Sequence, residues 1–372
     1  MKLGILCTMI NGFGRRGYYN SQEIGLGRAL ARKGHEVMIY KGIDPSEKEE
    51  KVQVEKNLTI WYLPMKHLGA HGFMDCKNLD PQLKALFCFG DQQIFLPHVY
   101  RWCRRRRIPF AAYVGTAHSL DSNFKSKVMN ALFAAGTLRI YKKNPVLAKT
   151  SAAKEELRQL GVPHAVIAPV GLDTAVLKKN IPADEKMRLR KEHGFEADDV
   201  ILCNVSRLSW EKRPLELIDL FLQVKGKKKF KLIIVGNGPL EEELNEKIRK
   251  NGLEKEVKIY PNVPYEKMWE IYEMSDYYLN MNKGEIFGMA IMEAVYYKTS
   301  VAAIRALGPS VTLKDMKGHK LCENDDEMAE WITGPYPSEK DLQESSEKMA
   351  ATFTWDRCAD AFLQASSEKS SR

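Results

Sequence analysis

At 372 residues the chain is too long for one ordinary core, and two domains of about 150–200 residues each are the expectation. With 44% hydrophobic and 28% charged residues, and apolar runs no longer than a strand, it is neither a disordered chain nor one with a membrane-spanning helix. The net charge of +9 resides in the first half: residues 1–175 carry 26 Lys and Arg against 14 Asp and Glu, and the remainder carries 31 against 34. A basic half points to an anionic partner such as a phospholipid surface, a nucleotide or nucleic acid. Seven scattered cysteines (Cys7, Cys76, Cys88, Cys103, Cys203, Cys322, Cys358), odd in number and without a C-x-x-C, suggest neither a disulfide framework nor a zinc site. A reducing cytoplasm fits that usage.

The N-terminal M-K-L-G-I-L-C-T-M-I runs into N-G-F-G with no small-residue cleavage site, so it reads as a first strand and a glycine loop. Ser21 to Lys33 reads as an amphipathic helix closed by Gly34, and V-M-I-Y-K-G as a second strand. An irregular region follows, then L-K-A-L-F-C-F-G as a buried strand and a helix from Gln92 to Arg106. The stretch I-P-F-A-A-Y-V-G-T-A-H is a strand begun by proline, as edge strands often are. H-A-V-I-A-P-V-G closes the first half. The alternation then restarts with V-I-L-C-N-V-S, a helix over 214–223, F-K-L-I-I-V-G-N-G-P, a helix over 241–251, and V-K-I-Y. Helix 265–274, D-Y-Y-L-N-M, helix 288–297 and S-V-A-A-I complete it. Two βα series in tandem imply an α/β protein of two doubly wound, Rossmann-like domains with a cleft between them. The expected divisions are 1–172, 173–350 and a C-terminal helix and polar tail over 351–372, the helix returning to the first domain.

In such sheets ligands sit at the carboxyl ends of the strands. Residues 283–293, K-G-E-I-F-G-M-A-I-M-E, follow one strand end and open a helix expected to start near Phe287. The amides of Phe287, Gly288, Met289 and Ala290, backed by the helix dipole, form an anion site. Gly288 lets backbone approach the ligand. Glu285 before the helix and Glu293 two turns into it would bracket a diphosphate with hydroxyl-rich groups at both ends, the outline of a sugar nucleotide. V-S-R-L-S-W-E-K-R places Arg207 and Lys212 at another strand end, where a guanidinium and an ammonium can hold phosphate. V-G-N-G-P adds Gly236 and Gly238.

Taken in order, these segments resemble the retaining GT-B glycosyltransferases of family 4, in which G-R-L-x-x-E-K, V-G-x-G-P and E-G-F-G-x-x-x-x-E-A recur. The likeness covers residues 200–305 well, and extends loosely to S-A-A-K-E-E-L-R-Q-L-G-V (151–162) and F-T-W-D-R (353–357). It implies that Arg207 and Lys212 hold the donor diphosphate, Glu285 bonds the sugar, Glu293 the ribose, and the amides after Ile286 the distal phosphate. V-K-I-Y-P-N-V would reach the base through backbone near Asn262 and Val263. His118 matches the family's cleft histidine. The glycine loop departs from the family: Gly17 is kept, but Tyr18 and Asn20 stand where a second glycine and an acid are usual, which points to an unusual acceptor. V-G-L-D likewise replaces N-G-V-D. Glu285, His118, Arg207 and Lys212 are the catalytic candidates.

No D-x-D stands at a strand end, so no metal and no cofactor are expected, and cations with helix amides would stabilise the leaving diphosphate. Uridine is the base expected on frequency. The expected activity is retaining transfer from a UDP-sugar to an acceptor hydroxyl, with a lipid-linked or cell-envelope glycan as the kind of acceptor. R-W-C-R-R-R-R (101–107) and residues 125–143 mix cations with Trp102, Phe124, Phe133 and Tyr141 and suggest peripheral binding to an anionic membrane from the cytoplasmic side. No nucleic-acid-binding signature accompanies the charge. A sugar-nucleotide epimerase on the same fold, and a non-catalytic module binding a nucleotide sugar or anionic lipid, are the alternatives. A dehydrogenase is disfavoured because no G-x-G-x-x-G follows the first strand.

Overall fold

The computed structural model describes residues 1–10, 21–117 and 124–367, which form two compact units. Among the described residues, the first unit takes those up to Gly171 and from Phe353 on, and the second Leu172–Thr352.

Ten strands belong to the first unit: β1 (Lys2–Cys7), β2 (Glu36–Ile43), β3 (Glu50–Glu55), β4 (Leu58–Pro64), β5 (His67–Leu68), β6 (His71–Gly72), β7 (Ala85–Phe89), β8 (Phe110–Val114), β9 (Val146–Ala148) and β10 (Val166–Ile167). Eight of them make one sheet in the order β10-β9-β8-β7-β1-β2-β4-β3, and β5–β6 is a separate hairpin. Every pair in the large sheet is parallel except β3 on β4. Parallel strands covered on both faces must be apolar throughout, which is why L-G-I-L-C, A-L-F-C-F and F-A-A-Y-V read as unbroken runs. The region that looks irregular in sequence holds β3 and β4. E-K-V-Q-V-E alternates half-buried and exposed residues, as an antiparallel edge strand does.

The second sheet contains β11 (Val200–Val205), β12 (Phe230–Val235), β13 (Val257–Tyr260), β14 (Tyr277–Asn280), β15 (Ser300–Ile304) and β16 (Lys320–Cys322). Its order is β13-β12-β11-β14-β15-β16, all parallel, the doubly wound arrangement.

The C-terminal helix Trp355–Ser367 packs back on the first unit, as expected. Phe362 meets Phe87 edge to face with centroids 4.7 Å apart, and Lys33 pairs with Asp360 at 2.7 Å. Trp355 lies so close over Gly25 that a Cβ there would come within 2.1 Å of the indole nitrogen.

Three sequence expectations shift. The helix placed from Gln92 begins at Leu96, with Pro97 in its first turn, where a missing N–H costs nothing. The strand introduced by Pro109 is interior, between β7 and β9, because the proline precedes the ladder and contributes only its carbonyl, to Leu86 N–H at 2.9 Å. Three aromatics within the basic stretches serve the core: Trp102, Phe133 and Tyr141 are buried, while Arg101 and Arg104 to Arg107 are exposed and the Phe124 side chain lies outside the described residues. All seven cysteines are buried and free.

Candidate active site

In the second sheet the strand order turns back between β11 and β14, so the loops leaving their carboxyl ends diverge and open a crevice. Lys212 leaves the β11 loop and Glu285 the β14 loop, and the two meet there, Nζ to Oε2 at 2.8 Å. Asn282 Nδ2 donates to the same carboxylate oxygen at 3.1 Å. The loop is held by an asparagine relay: Asn282 N–H donates to Asn280 Oδ1 at 3.0 Å and Gly284 N–H to Asn282 Oδ1 at 2.9 Å. Burial works to raise the Glu285 pKa. The Lys212 charge and hydrogen bond, with hydrogen bonds from Asn282 and Asn280, outweigh it and hold the carboxyl below its ordinary value. Glu285 is therefore ionised, an acceptor that already holds Lys212 and Asn282.

Arg207, from the same loop as Lys212, is exposed and has no ion-pair partner among the described residues. Arg213 is committed elsewhere: it clasps Asp325 with two bonds at 3.0 and 2.8 Å and anchors the start of the helix Pro214–Val224. One guanidinium is thus held by the scaffold and the other is exposed.

The helix expected to start near Phe287 starts at Met289 and runs to Tyr296, with Gly288 as its N-cap at φ +83°. That left-handed backbone is one that only glycine adopts at no steric cost. Met292 is the first residue whose N–H reaches back, to Gly288 O at 3.2 Å, so the amides of Met289, Ala290 and Ile291 lead the helix. Ile286 and Phe287 fall outside it. Phe287 is 4% exposed, and its backbone packs so tightly on Gly308 that a Cβ there would lie 2.5 Å from the Phe287 nitrogen. Phe287 packs there, and the helix N-terminus begins two residues later than expected.

Glu293 is the fifth residue of this helix, just over one turn in rather than two. It is 5% exposed and accepts the Tyr272 hydroxyl at 2.8 Å. The carboxylate forms part of the wall of a cavity of about 90 Å³ shared with Lys178, Tyr265, Trp269, Tyr272 and Tyr297. Burial and the Glu293 charge together push the Tyr265 and Tyr272 phenols up, so both stay protonated donors. The two glutamates thus serve different surroundings, Glu285 the crevice loops and Glu293 an aromatic cavity.

The glycines of V-G-N-G-P are demanded by loop-on-loop packing. A Cβ on Gly236 would lie 1.9 Å from Ser206 O, and one on Gly238 2.3 Å from Leu208 O. Leu208 N–H donates to Asn237 O at 2.9 Å and Leu240 N–H to Leu208 O at 3.0 Å, lacing this turn to the loop that carries Arg207. Gly236 N–H is consumed by Tyr260 O at 3.0 Å, so this glycine offers a ligand no amide. Asn237 reaches across to Pro261 O at 3.1 Å and Asn262 Oδ1 at 2.8 Å, which fixes Asn262 and Val263 relative to the crevice.

Gly17 and His118 lie outside the described residues. Among the described residues no group of three or more His, Cys, Asp or Glu is placed to hold a metal ion. Sequence reasoning missed Asn282, Tyr272 and the aromatic cavity. The N-x-x-E spacing before the helix would have found the first; Tyr272 sits 21 residues from Glu293 and leaves no local signal.

Residues 185–348 match the family model described as Glycosyl transferases group 1. The D-inositol 3-phosphate glycosyltransferase of Xylanimonas cellulosilytica is 24% identical over 404 residues, spanning 97% of this chain and 94% of the relative. The alpha-monoglucosyldiacylglycerol synthase of Acholeplasma laidlawii is 21% identical over 295 residues, 73% of each chain. Among solved structures, sucrose-phosphate synthase from Thermosynechococcus elongatus superposes with a TM-score of 0.75 at 15% identity, covering 100% of this chain and 99% of the other. Anabaena Alr3699/HepE, solved with UDP and glucose, gives 0.72 at 16% identity and 99% coverage of both. At such identities these structures speak to fold, and the fold is GT-B.

Proposed function

We propose that this glycosyltransferase moves a hexose from UDP-hexose to an acceptor hydroxyl, with retention at the anomeric carbon and without a metal ion. The observation that carries this reading is the meeting of Lys212 and Glu285 at the reversal point of the second sheet, beside an exposed Arg207 and a helix N-terminus capped by Gly288. Arg207, Lys212 and the amides from Gly288 to Ala290 would stabilise charge growing on the leaving diphosphate. Glu285, ionised and oriented by Asn282, would accept hydroxyls of the sugar; Glu293 would accept those of the ribose inside its cavity; backbone near Asn262 and Val263 would meet the base. Gly17 and His118 complete the proposed donor set by resemblance. UDP is favoured because Anabaena Alr3699/HepE was solved with it. With Glu285 held by Lys212 and Asn282 and assigned to the sugar hydroxyls, retention fits a same-face displacement in which the leaving phosphate takes the acceptor proton.

A thermal-shift panel of UDP, ADP, GDP and their glucose or mannose conjugates tests the reading. Ligand at a hundred times its dissociation constant stabilises by about 2.7 kcal/mol, and UDP and UDP-glucose should raise the melting temperature most. If no nucleotide moves it, the donor site is misassigned. Release of UDP separates a transferase from a binding module, and donor isomerised without UDP release would reveal an epimerase.

A peripheral membrane role rests on a separate observation. The helix Phe124–Ala135 exposes Val128, Ala131, Leu132 and Ala135, an apolar stripe at i, i+3, i+4 and i+7, with Lys127 beside it. The neighbouring helix Leu96–Arg106 exposes Arg101 and Arg104 to Arg106. We propose that this surface binds an anionic bilayer. Sedimentation with phosphatidylglycerol vesicles should be strong at low salt and lost at 0.5 M; no sedimentation at either would remove the role.

A further inference from the structure

The first sheet also reverses its strand order, between β7 and β1, and its carboxyl edge carries two ion pairs of different kinds. Lys41 and Glu23 bond directly, with side chains 8% and 9% exposed. Burial works to lower the Lys41 pKa and Glu23 outweighs it, so this pair is closed and satisfied. Lys149 and Asp91 face one another at 3.7 Å, beyond hydrogen-bond reach, at 12% and 16% exposure.

The open pair is held open by its surroundings. Asp91 Oδ1 accepts Gly115 N–H at 2.6 Å, and the Asp91 carbonyl accepts the Tyr141 hydroxyl at 3.0 Å. Its backbone sits at φ +31°, a conformation that non-glycine residues adopt rarely and that marks functional positions when surrounding structure enforces it. The Lys149 stem runs over the bare Cα of Gly115, where a Cβ would lie 3.0 Å from its Cδ. The ammonium then hangs 5.3 Å from the Phe89 ring centroid and 5.1 Å from that of Tyr113. The Lys149 stem is thus largely buried, and its ammonium has three N–H donors with no acceptor at hydrogen-bond distance among the described residues.

A gap between a fixed donor and a fixed acceptor matches one chemical group well. A hydroxyl oxygen accepts one hydrogen bond and donates another. We propose that Asp91 and Lys149 bind a hydroxyl of a neutral polyol acceptor, which donates to Asp91 Oδ2 and accepts from Lys149 Nζ. An anionic group is disfavoured there because Asp91 would repel it. This rests on the glycosyl-transfer reading and supplies its acceptor half-site on the first unit. The pair positions the acceptor hydroxyl and takes no proton from it.

Asp91→Asn keeps the Oδ1 bond to Gly115 while removing the charge, and Lys149→Met keeps the stem while removing the donors. Two readouts separate the pair from the donor site. In saturation-transfer NMR with the full chain and a panel of myo-inositol, methyl α-glucoside and glycerol, at least one polyol should give a signal that both variants reduce five-fold or more. With UDP-glucose present, the ratio of glycoside to free glucose should fall ten-fold or more in both, while UDP affinity by calorimetry stays within two-fold. No signal from any polyol with the wild type, or equal signals from the variants, overturns the proposal. So does a parallel loss of hydrolysis and transfer with a lowered melting temperature, the mark of a merely structural pair. Failure of the wild type to bind UDP would refute the donor reading and leave the polyol readout to decide on the pair.

Discussion

The carboxyl edges of the two sheets solve the same problem with different materials. The second edge relies on backbone: glycines 236, 238 and 288 let loops pack on carbonyls or cap a helix, while Lys212 pairs with Glu285 at the reversal point and Arg213 with Asp325 beside it. The first edge works with side chains, drawing Lys41–Glu23 and Lys149–Asp91 down among the strands, where the buried Cys7 thiol feels all four charges and its pKa is pushed up by burial. A site made of amides requires glycine at fixed spacing and so leaves a motif. A site made of paired side chains leaves residues 18 and 58 positions apart that nothing in the sequence connects.

That contrast can be broken most sharply at Lys212. Lys212→Ala removes a preorganised cation and leaves Glu285 without its ion-pair partner, so transfer should fall at least about a hundredfold, near 3 kcal/mol of barrier, with the fold retained. Turnover from UDP-glucose at the wild-type rate would show that the second edge does not act through this pair. A pH series comes next. Burial lowers His319 from 6.5 to about 4 while its Nδ1 accepts Val301 N–H at 3.0 Å. The unfolded chain takes up that proton below pH 6.5 and the folded one only near 4, so the contribution is complete above 6.5 and lost as pH falls through that window. The slope approaches about 1.4 kcal/mol per pH unit. Urea melts at pH 7.0, 5.5 and 4.5 should show the loss in the second unit, and His319→Gln should flatten it.

Gly25→Ala probes the other unit. The added Cβ would drive into Trp355 and lift the returning C-terminal helix, at about 1–3 kcal/mol of overpacking. The first unit should melt earlier and UDP affinity of the second should be unchanged; coupled losses would mean that the two edges are not independent. The smallest expected effect is that of Tyr272→Phe, which removes one hydrogen bond to the buried Glu293 carboxylate, about 1 kcal/mol. UDP affinity should weaken several-fold while 2′,3′-dideoxy-UDP is spared. Equal losses for both ligands would detach Glu293 from the ribose.

Legibility followed the same division. Apolar runs announced most of the parallel strands because burial on both faces demands them, and β3 escaped because a half-exposed edge strand demands only alternation. Lys212 and Glu285 were readable as motif members, and so was Gly288. The helix start lies two residues later than expected because Phe287 looks helical in sequence but is held by Gly308 of the helix Leu307–Thr312.

By itself the sequence determined the two doubly wound series, the glycine positions that backbone geometry requires, and the cations and acids available at the strand ends. Those follow from local steric and hydrophobic rules that act within one element or one turn. Only tertiary structure decided which charges pair, which guanidinium is held by scaffold, which glutamate lines an aromatic cavity, and which lysine faces a carboxylate at 3.7 Å. Those depend on strand order, and a parallel sheet brings together residues whose separation along the chain carries no trace of their distance in space.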